Sequence, residues 1–428
     1  MKRLMNGCRE YKTLSRRQFL VGSAKAALVA STASAWLPKF AFAKSDDPQR
    51  DVLISIFLRG GADGLTTCVP HADDNYYAVR PNIAVPRPDS NATDKATDLD
   101  GFFGFAPGMV PLLEAYQSGH LAIVHATGST DPSRSHFDAQ KWMELGVAQD
   151  PNTSSGWLGR HIASSQQMLD SASLRAIGMT YGMPLTLQGG PKTLPIPDVT
   201  DFRLAGYEDY SQEVEDWLAQ AYDRTSDPVR AAAVATEQTL QMLRNIDFDS
   251  YQPAGGAVYP DTDFGRGIKA SAAVMNAEIG VEAIHLDVDG WDTHSEQGST
   301  TGGLNELMLY LSTPLQALHT DLFSRGRTNF TLVVLSEFGR NVGENDSRGT
   351  DHGHGNAIFV MGGSVLGGQV IRQWPGLAQE NLNNGVDLEV TIDYRDVLGE
   401  IIQKRLHNNN LDVVFPTYSP TFRGLFPD

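Results

Sequence analysis

Cysteine is scarce in this chain of 428 residues, which contains only Cys8 and Cys68. Cys8 lies in an N-terminal segment that we expect to be removed, so the mature chain keeps Cys68 alone. A single cysteine cannot form an internal disulfide, which excludes a disulfide-stapled scaffold, and a chain of this length can bury a core without one. Cys68 is interpreted as a small buried side chain in preference to a nucleophilic thiol.

Basic residues are also few, with 34 Lys and Arg against 51 Asp and Glu, for a net charge of −17. Residues 1–43 carry eight Lys or Arg and one Glu, so their removal would leave −17 − 7 = −24. A surface this acidic argues against nucleic acid or an anionic membrane as a partner. Most of the negative charge is interpreted as solvated surface.

Long apolar runs are absent after residue 43, where no stretch reaches the roughly 20 residues that cross a bilayer. Residues 1–43 are typical of an export signal, with a basic start, an Ala-rich apolar stretch and Ala41-Phe42-Ala43 at the end. Arg16-Arg17 before Gln18-Phe19-Leu20 predicts the twin-arginine (Tat) route. We therefore expect the Tat translocon as a partner during export, a periplasmic or secreted location, and no stable membrane anchor after cleavage.

Buried strands alternate with helices along the rest of the chain, residues 44–428. The predicted strands are Asp51–Leu58, Leu121–Ala126, Ala176–Thr180, Val281–Leu286, Phe330–Leu335 and Ala357–Met361. The predicted helices are Met109–Gln117, Phe137–Leu145, Trp157–Ser165, Phe264–Ile279, Leu304–Phe323 and Ile392–Leu406, with coil over Asp412–Asp428. This order predicts one doubly wound α/β domain with a mostly parallel sheet and helices on both faces. Residues 184–263 are predicted as a helical insertion, with helices at Tyr210–Tyr222 and Val229–Ile246.

Polar side chains follow four of the predicted strands, and the carboxyl ends of parallel strands meet at one edge of a sheet. The candidate metal ligands are Asp63, Asp292, His294, Glu337, Asp351, His352 and His354. Carboxylate and imidazole ligands suit one or two divalent ions, with Zn, Mn, Fe, Mg and Ca as candidates. A weaker interpretation is a calcium loop over Asp287, Asp289 and Asp292, which lacks the other EF-hand positions.

Hydroxyl and guanidinium groups in the same loops are candidates for catalysis. Ser135 would open a predicted helix, where the helix dipole favours an ionised nucleophile, although a plain N-cap serine fits the same position. Thr130 is a second hydroxyl candidate. Arg134 and Arg340 could stabilise an anionic transition state.

Five segments resemble the bacterial exported family called domain of unknown function 1501. They are FLRGGADGLTTCVP (Phe57–Pro70), SRSHFDAQKWMELG (Ser133–Gly146), GWDTH (Gly290–His294), LSEFGR (Leu335–Arg340) and DHGHGNAIFVMGGSVLGGQV (Asp351–Val370). That family is grouped with the alkaline phosphatase-like superfamily, which includes phosphatases, sulfatases and phosphodiesterases. The resemblance implies that Asp63 is a ligand, that Ser135 is the nucleophile, and that Asp292, His294, Glu337 and either His352 or His354 complete the site.

The chain departs from the superfamily pattern at three places. The spacing from Asp to His in Asp292-Thr293-His294 is shorter than is usual in the superfamily. Glu337-Phe338 stands where the superfamily commonly has an Asp-His pair. Thr130 stands where sulfatases need Cys or Ser, so formylglycine chemistry is not expected. The sequence therefore predicts an exported metal-dependent hydrolase of phosphate or sulfate esters, acting on a small-molecule or glycan ester. The alternative is a non-catalytic exported protein on the same fold that binds a metal, a glycan or a partner protein.

Overall fold

The computed structural model describes residues 50–170, 172–201 and 250–427, with isolated positions between 230 and 248. The predicted leader 1–43 and the predicted helix Tyr210–Tyr222 lie outside the described residues, as does most of Val229–Ile246. No helix in the described ranges is both long and apolar enough to cross a membrane.

The described strands are, in chain order, β1 (Val52–Leu58), β2 (Cys68–Val69), β3 (Thr97–Asp98), β4 (Gly104–Phe105), β5 (Leu121–Gly128), β6 (Ala176–Gly178), β7 (Thr193–Pro195), β8 (Ala283–Val288), β9 (Phe330–Ser336), β10 (Asn356–Gly362), β11 (Gln369–Ile371) and β12 (Ile392–Asp393). The described α-helices are α1 (Gly64–Thr67), α2 (Asp74–Val79), α3 (Leu113–Gln117), α4 (His136–Leu145), α5 (Trp157–Ser164), α6 (Asp263–Asn276), α7 (Gly303–Ser324), α8 (Tyr394–Lys404) and α9 (Leu411–Val414).

A central sheet organises the fold, with strand order β11-β5-β10-β9-β1-β8-β6-β7 and β12 paired to β5. Its strands run parallel except β10, which is antiparallel to both β5 and β9. Strands β2, β4 and β3 form a separate antiparallel sheet. The predicted class, a mostly parallel α/β sheet, is confirmed.

Both faces of the central sheet are covered, because successive side chains of a strand point to opposite sides. In β1, Ile54 and Ile56 belong to one core cluster, which also contains the apolar residues of α6 and α7. Leu53 and Phe57 belong to the other cluster, with those of α5 and α8. Every residue of β1 and β9 is buried, which is why their sequences are mostly apolar and do not alternate with charged residues.

Three predicted elements differ in the structure. Thr193–Pro195, inside the predicted helical insertion, is strand β7 and pairs with β6 at the sheet edge. The helix predicted from Ile392 begins at Tyr394, because Ile392–Asp393 pairs with β5 and the Asp393 carboxylate caps the helix. The helix predicted over Met109–Gln117 is split into a 3-10 turn (Pro107–Leu112) and α3, with Pro111 in the turn.

Candidate metal centre

The polar loops converge at the edge where β1, β5, β8 and β9 end. Because β10 runs in the opposite direction, it begins at that same edge, so the loop of residues 337–355 both leaves and re-enters the sheet there. An isolated bridge pairs Arg340 with His352 inside this loop. The antiparallel strand therefore keeps His352 near the ends of its parallel neighbours.

Three imidazole rings surround one oxygen atom at this edge. Oδ1 of Asp292 lies 2.9 Å from Nε2 of His294, 3.1 Å from Nε2 of His352 and 3.4 Å from Nε2 of His136. The Nε2 atoms of His294 and His352 are themselves 2.9 Å apart. We call these four residues the histidine cluster.

The opposite nitrogen of each ring is held by an oxygen. Nδ1 lies 2.9 Å from Glu337 Oε1 in His136, 2.9 Å from Asp351 Oδ1 in His294, and 2.8 Å from the Arg134 carbonyl oxygen in His352. Carboxylates and carbonyls only accept hydrogen bonds, so each Nδ1 carries a proton and each Nε2 faces the cluster. Metal-binding histidines are oriented in this way by their neighbours.

The histidine cluster fits a divalent ion. Three inward-facing nitrogens and a carboxylate oxygen, crowded together, repel one another unless a proton or a cation lies between them. Nε2 of His136 is buried and lacks a hydrogen-bond partner among the described residues. The ligand atoms of His136, Asp292 and His352 all lie within 4.8 Å of one another. Nitrogen and oxygen donors at this spacing match the ligand set of Zn, Mn or Fe.

The charges of the cluster are mutually dependent. Burial opposes ionisation of Asp292, but its contacts with His136, His352 and Arg340 outweigh burial and lower its pKa. Burial opposes protonation of His136, yet Asp292 and Glu337 raise the pKa of His136 to about 9. The two carboxylates thus favour a positive charge at His136, and an ion bound there would have to displace a proton.

Arg340 is buried and joins the loops that carry the cluster. Nε lies 2.6 Å from the Gly61 carbonyl, Nη1 2.8 Å from the Thr350 carbonyl, and Nη2 2.8 Å from Asp292 Oδ1. Nη2 also reaches the carbonyls of Gly60 and Trp291. Arg340 was predicted to stabilise an anionic transition state; in the structure all three of its guanidinium nitrogens donate to protein oxygens, one of them on Asp292.

Gly60 allows the turn after β1 to approach Asp292. Its φ of +118° is a conformation that favours glycine, and an added Cβ would lie 2.5 Å from the backbone nitrogen of Asp292. A side chain at this position would push Asp292 away from the histidines.

Two of the predicted ligands, Glu337 and Asp351, orient rings and do not face the cluster. Glu337 is buried, and its Oε1 also accepts from the Gly60 N–H and from Gln140, each at 2.8 Å. Asp351 is exposed and accepts from Asn345 at 3.1 Å in addition to holding His294.

Asp63 and His354 are not brought into the cluster. Asp63 Oδ2 lies 2.6 Å from Nη1 of Arg80, and both side chains are fully buried. Nδ1 of His354 lies 2.7 Å from Asp387 Oδ2, which also accepts from Arg134 at 3.0 Å. Each of these groups is already paired with a neighbour of opposite charge or polarity.

The two predicted hydroxyl residues are exposed, and Ser135 directly precedes His136 of the cluster. Ser135 is the N-cap residue of α4, is exposed, and makes no side-chain capping hydrogen bond. Thr130 is exposed just after β5. The calcium-loop interpretation finds little support, since Asp287 is paired with Arg59 and with His285.

His136 is the cluster residue that sequence reasoning missed. It is the first residue of α4, directly after Ser135, and Gln140 one turn later contacts the same Glu337. The sequence did contain a signal, because His136 is followed four positions later by the polar residue Gln140. The helix that they begin was already predicted to start at the edge of the sheet. The predicted helix began one residue too late, at Phe137, which left His136 in the loop.

The fold and the cluster define an α/β protein with a candidate metal centre at the carboxyl edge of a mostly parallel sheet. The chain belongs to the family described as "Protein of unknown function (DUF1501)", which matches residues 50–412. No curated protein matches the chain.

Similar solved structures come from the alkaline phosphatase superfamily and from a carbohydrate complex. An alkaline phosphatase from the Antarctic bacterium TAB5 is 11% identical, with 73% of this chain and 92% of that chain covered and a TM-score of 0.29. A protein of the alkaline phosphatase superfamily from Vibrio parahaemolyticus is 10% identical, with 79% and 69% covered and a TM-score of 0.29. Ps i-CgsB in complex with k-i-k-neocarrahexaose is 10% identical, with 85% and 74% covered and a TM-score of 0.36. Similarity at this level says nothing about the activity of this chain.

Proposed function

We propose that this protein is a metal-dependent hydrolase of phosphate or sulfate esters that uses a hydroxyl nucleophile. We propose further that it is exported by the Tat route to the periplasm or beyond and acts on a small-molecule or glycan ester. The observation that carries the enzymatic part is the convergence of three imidazole Nε2 atoms on one Asp292 oxygen. A divalent ion held there would polarise an ester oxygen and stabilise the negative charge that develops on it.

The residues around the cluster support handling of an anionic ester. Ser135 is exposed at the amino end of α4, where free backbone N–H groups and the helix dipole favour a negatively charged group. Its neighbour Arg134 is half-buried, with one end of the guanidinium on Asp387. Arg134 is therefore the candidate for binding the anion, and Ser135 is the candidate nucleophile, with Thr130 as the second hydroxyl.

A non-catalytic role in binding a metal, a glycan or a partner protein is the second candidate. One observation favours it. Directly after Glu337, the ring of Phe338 packs against His136 and His352, with ring centroids 5.0 and 4.8 Å apart. An apolar ring there takes a position that a further polar catalytic group could otherwise occupy.

Turnover of p-nitrophenyl phosphate and p-nitrophenyl sulfate by the purified mature protein tests the proposal. We expect hydrolysis that a chelator abolishes and an added divalent ion restores. Ser135→Ala should lower kcat by at least about 100-fold, on the scale of losing a catalytic group. Ser133→Ala is the comparison and should cause a smaller loss, because the Ser133 hydroxyl is not the proposed nucleophile but accepts a hydrogen bond from the Ser135 N–H at 3.2 Å.

Two outcomes would contradict parts of this proposal. Metal bound without hydrolysis of either ester, or of a wider ester panel, would favour the binding protein. Full activity of Ser135→Ala would reject Ser135 as the nucleophile and move attention to Thr130.

A further inference from the structure

We infer that the histidine cluster holds one ion, of the class that prefers imidazole nitrogen, and that Arg80 takes the place of a second cation beside Asp63. This inference rests on the proposed function. The sequence predicted one or two divalent ions, with Zn, Mn, Fe, Mg and Ca as candidates. The inference reduces this prediction to a single transition-metal ion.

The donor set of the cluster is rich in nitrogen. Nε2 of His136, Nε2 of His352 and a carboxylate oxygen of Asp292 lie within 4.8 Å of one another. Nε2 of His294 lies 2.9 Å from both His352 Nε2 and Asp292 Oδ1. Mg²⁺ and Ca²⁺ are bound in proteins mainly by oxygen ligands, whereas imidazole suits Zn²⁺ and Fe²⁺. The ligand chemistry therefore selects against the two alkaline-earth ions.

Both carboxylate oxygens of Asp63 already accept hydrogen bonds. Oδ2 accepts from Arg80 Nη1 at 2.6 Å, Thr66 Oγ1 at 2.7 Å and Gln297 Nε2 at 3.0 Å. Oδ1 accepts from Arg80 Nη2 at 3.1 Å. Burial opposes ionisation of Asp63, but the positive charge of Arg80 lowers the pKa of Asp63 overall, so the buried pair is ionic.

Arg80 is itself fixed in place by the loop of residues 337–355. Its Nε lies 2.6 Å from the Val342 carbonyl and its Nη2 lies 3.0 Å from the Asn341 carbonyl. A divalent ion at Asp63 would have to share a dry site with this guanidinium, and like charges repel strongly where water is excluded. Arg80 thus supplies the positive charge that a second ion would bring.

Glu337, the other buried carboxylate among the predicted ligands besides Asp63, also accepts hydrogen bonds on both oxygens. Glu337 Oε1 accepts from the Gly60 N–H, Gln140 and His136, and its Oε2 accepts from Ser336 Oγ at 2.9 Å. Every carboxylate oxygen of Asp63 and Glu337 thus accepts at least one hydrogen bond, and the described residues contain one group of potential metal ligands.

Counting bound metal tests the inference without reference to activity. Mature protein stripped by a chelator is loaded separately with Zn²⁺, Mn²⁺, Mg²⁺ or Ca²⁺, passed over gel filtration, and measured by elemental analysis. We expect one equivalent of Zn²⁺ per chain, which a tenfold excess of Mg²⁺ or Ca²⁺ does not displace. Two equivalents, less than one equivalent, or displacement by Ca²⁺ or Mg²⁺ would overturn the inference.

A matched pair of variants locates the ion. His352→Asn keeps an N–H near the position of Nδ1, facing the Arg134 carbonyl, but removes Nε2. His354→Asn makes the same change two residues later, where Nδ1 contacts Asp387. We expect the first variant to lose the bound equivalent and the second to keep it. The reverse result would overturn the assignment.

Asp63→Asn tests the role of Arg80. We expect the variant to retain one equivalent, whereas a fall from two equivalents to one would identify Asp63 as a ligand and overturn the inference. Circular dichroism verifies that the variant folds. If the variant does not fold, the number of metal equivalents bound by the unmodified protein still tests the inference. One equivalent with no ester hydrolysis supports this inference and rejects the proposed hydrolase, while two equivalents with hydrolysis do the opposite.

Discussion

At the scale of single residues, the histidine cluster depends on the groups that hold the outer nitrogen of each ring. Glu337, which holds His136, is 1% exposed, whereas the Asp351 side chain, which holds His294, is 55% exposed. Burial opposes ionisation of Glu337, but hydrogen bonds from His136 and Gln140 lower its pKa overall. A buried carboxylate with several donors moves less than an exposed one, so Glu337 constrains its histidine more tightly.

Glu337→Gln should weaken metal binding by about 10–100-fold, the usual cost of losing a group that orients a metal ligand. The amide keeps the size of the side chain but removes the charge that fixes the His136 tautomer. Competition with a chromogenic chelator measures the affinity. Asp351→Asn is the comparison and should have the smaller effect, because water can replace an exposed partner. Equal affinity of Glu337→Gln and the unmodified protein would contradict this account.

Sequence reasoning placed the carboxylates of the site in the correct loops but could not assign their roles. Glu337 and Asp292 both follow buried strands, yet Asp292 faces three Nε2 atoms and Glu337 holds one Nδ1. The distinction depends on the direction of side chains across loops distant in sequence. For the same reason the pattern could not reveal that Arg80 neutralises Asp63, since nothing local distinguishes a paired aspartate from a metal ligand.

At the scale of elements, the turn after β1 sets the position of Asp292. Gly60 lies directly against the Asp292 backbone, and the carbonyls of Gly60 and Gly61 both accept hydrogen bonds from Arg340. The turn, Arg340 and the loop after β8 are therefore packed as one unit.

Gly60→Ala should destabilise the protein and weaken metal binding. The strained φ alone costs on the order of 1–3 kcal/mol, and the added methyl group collides with Asp292. Gly101→Ala is the matched control, since Gly101 also has a positive φ of +80° but has open space around it. We expect the control to lose stability without losing metal affinity. Denaturant unfolding and metal titration measure both quantities, and the same metal affinity in the two variants would contradict the role of Gly60.

Sequence reasoning identified the elements whose own residues show a clear pattern of apolar side chains. Strands β1 and β9 are buried along their whole length, so their apolar runs are unambiguous. Strand β7 has only three residues, includes Pro195, and exists because β6 lies beside it. Short strands of this kind depend on a neighbour and carry no periodic signal of their own.

At the scale of the whole molecule, buried neutral histidines make stability depend on pH. His125 is fully buried, its ring stacks on Phe103, and its Nε2 lies 3.1 Å from the Cys68 carbonyl. Burial lowers the pKa of His125 to about 4. Burial also lowers the pKa of His161 well below its usual value.

The free energy of unfolding should fall as the pH is lowered from about 6.5 to about 4. In that window the unfolded chain binds a proton at His125 while the folded chain does not, so acidification favours unfolding. One such group contributes a slope of up to about 1.4 kcal/mol per pH unit. Urea unfolding in a chelator at several pH values measures the slope. His125→Gln should flatten it by about one proton, and an unchanged slope would contradict the account.

Three residues of the histidine cluster come from separate parts of the chain: His136 begins α4, Asp292 follows β8, and His352 precedes β10. Segments this far apart meet only when β5, β8, β9 and β10 have taken their places in the sheet. A nascent chain that ends before His352 lacks part of the site, so an ion could be bound only after β10 has been synthesised and has paired with β5 and β9. An ion that binds the folded protein but not the unfolded chain would also raise the free energy of unfolding, by about 4 kcal/mol when its free concentration is roughly a thousand times its Kd.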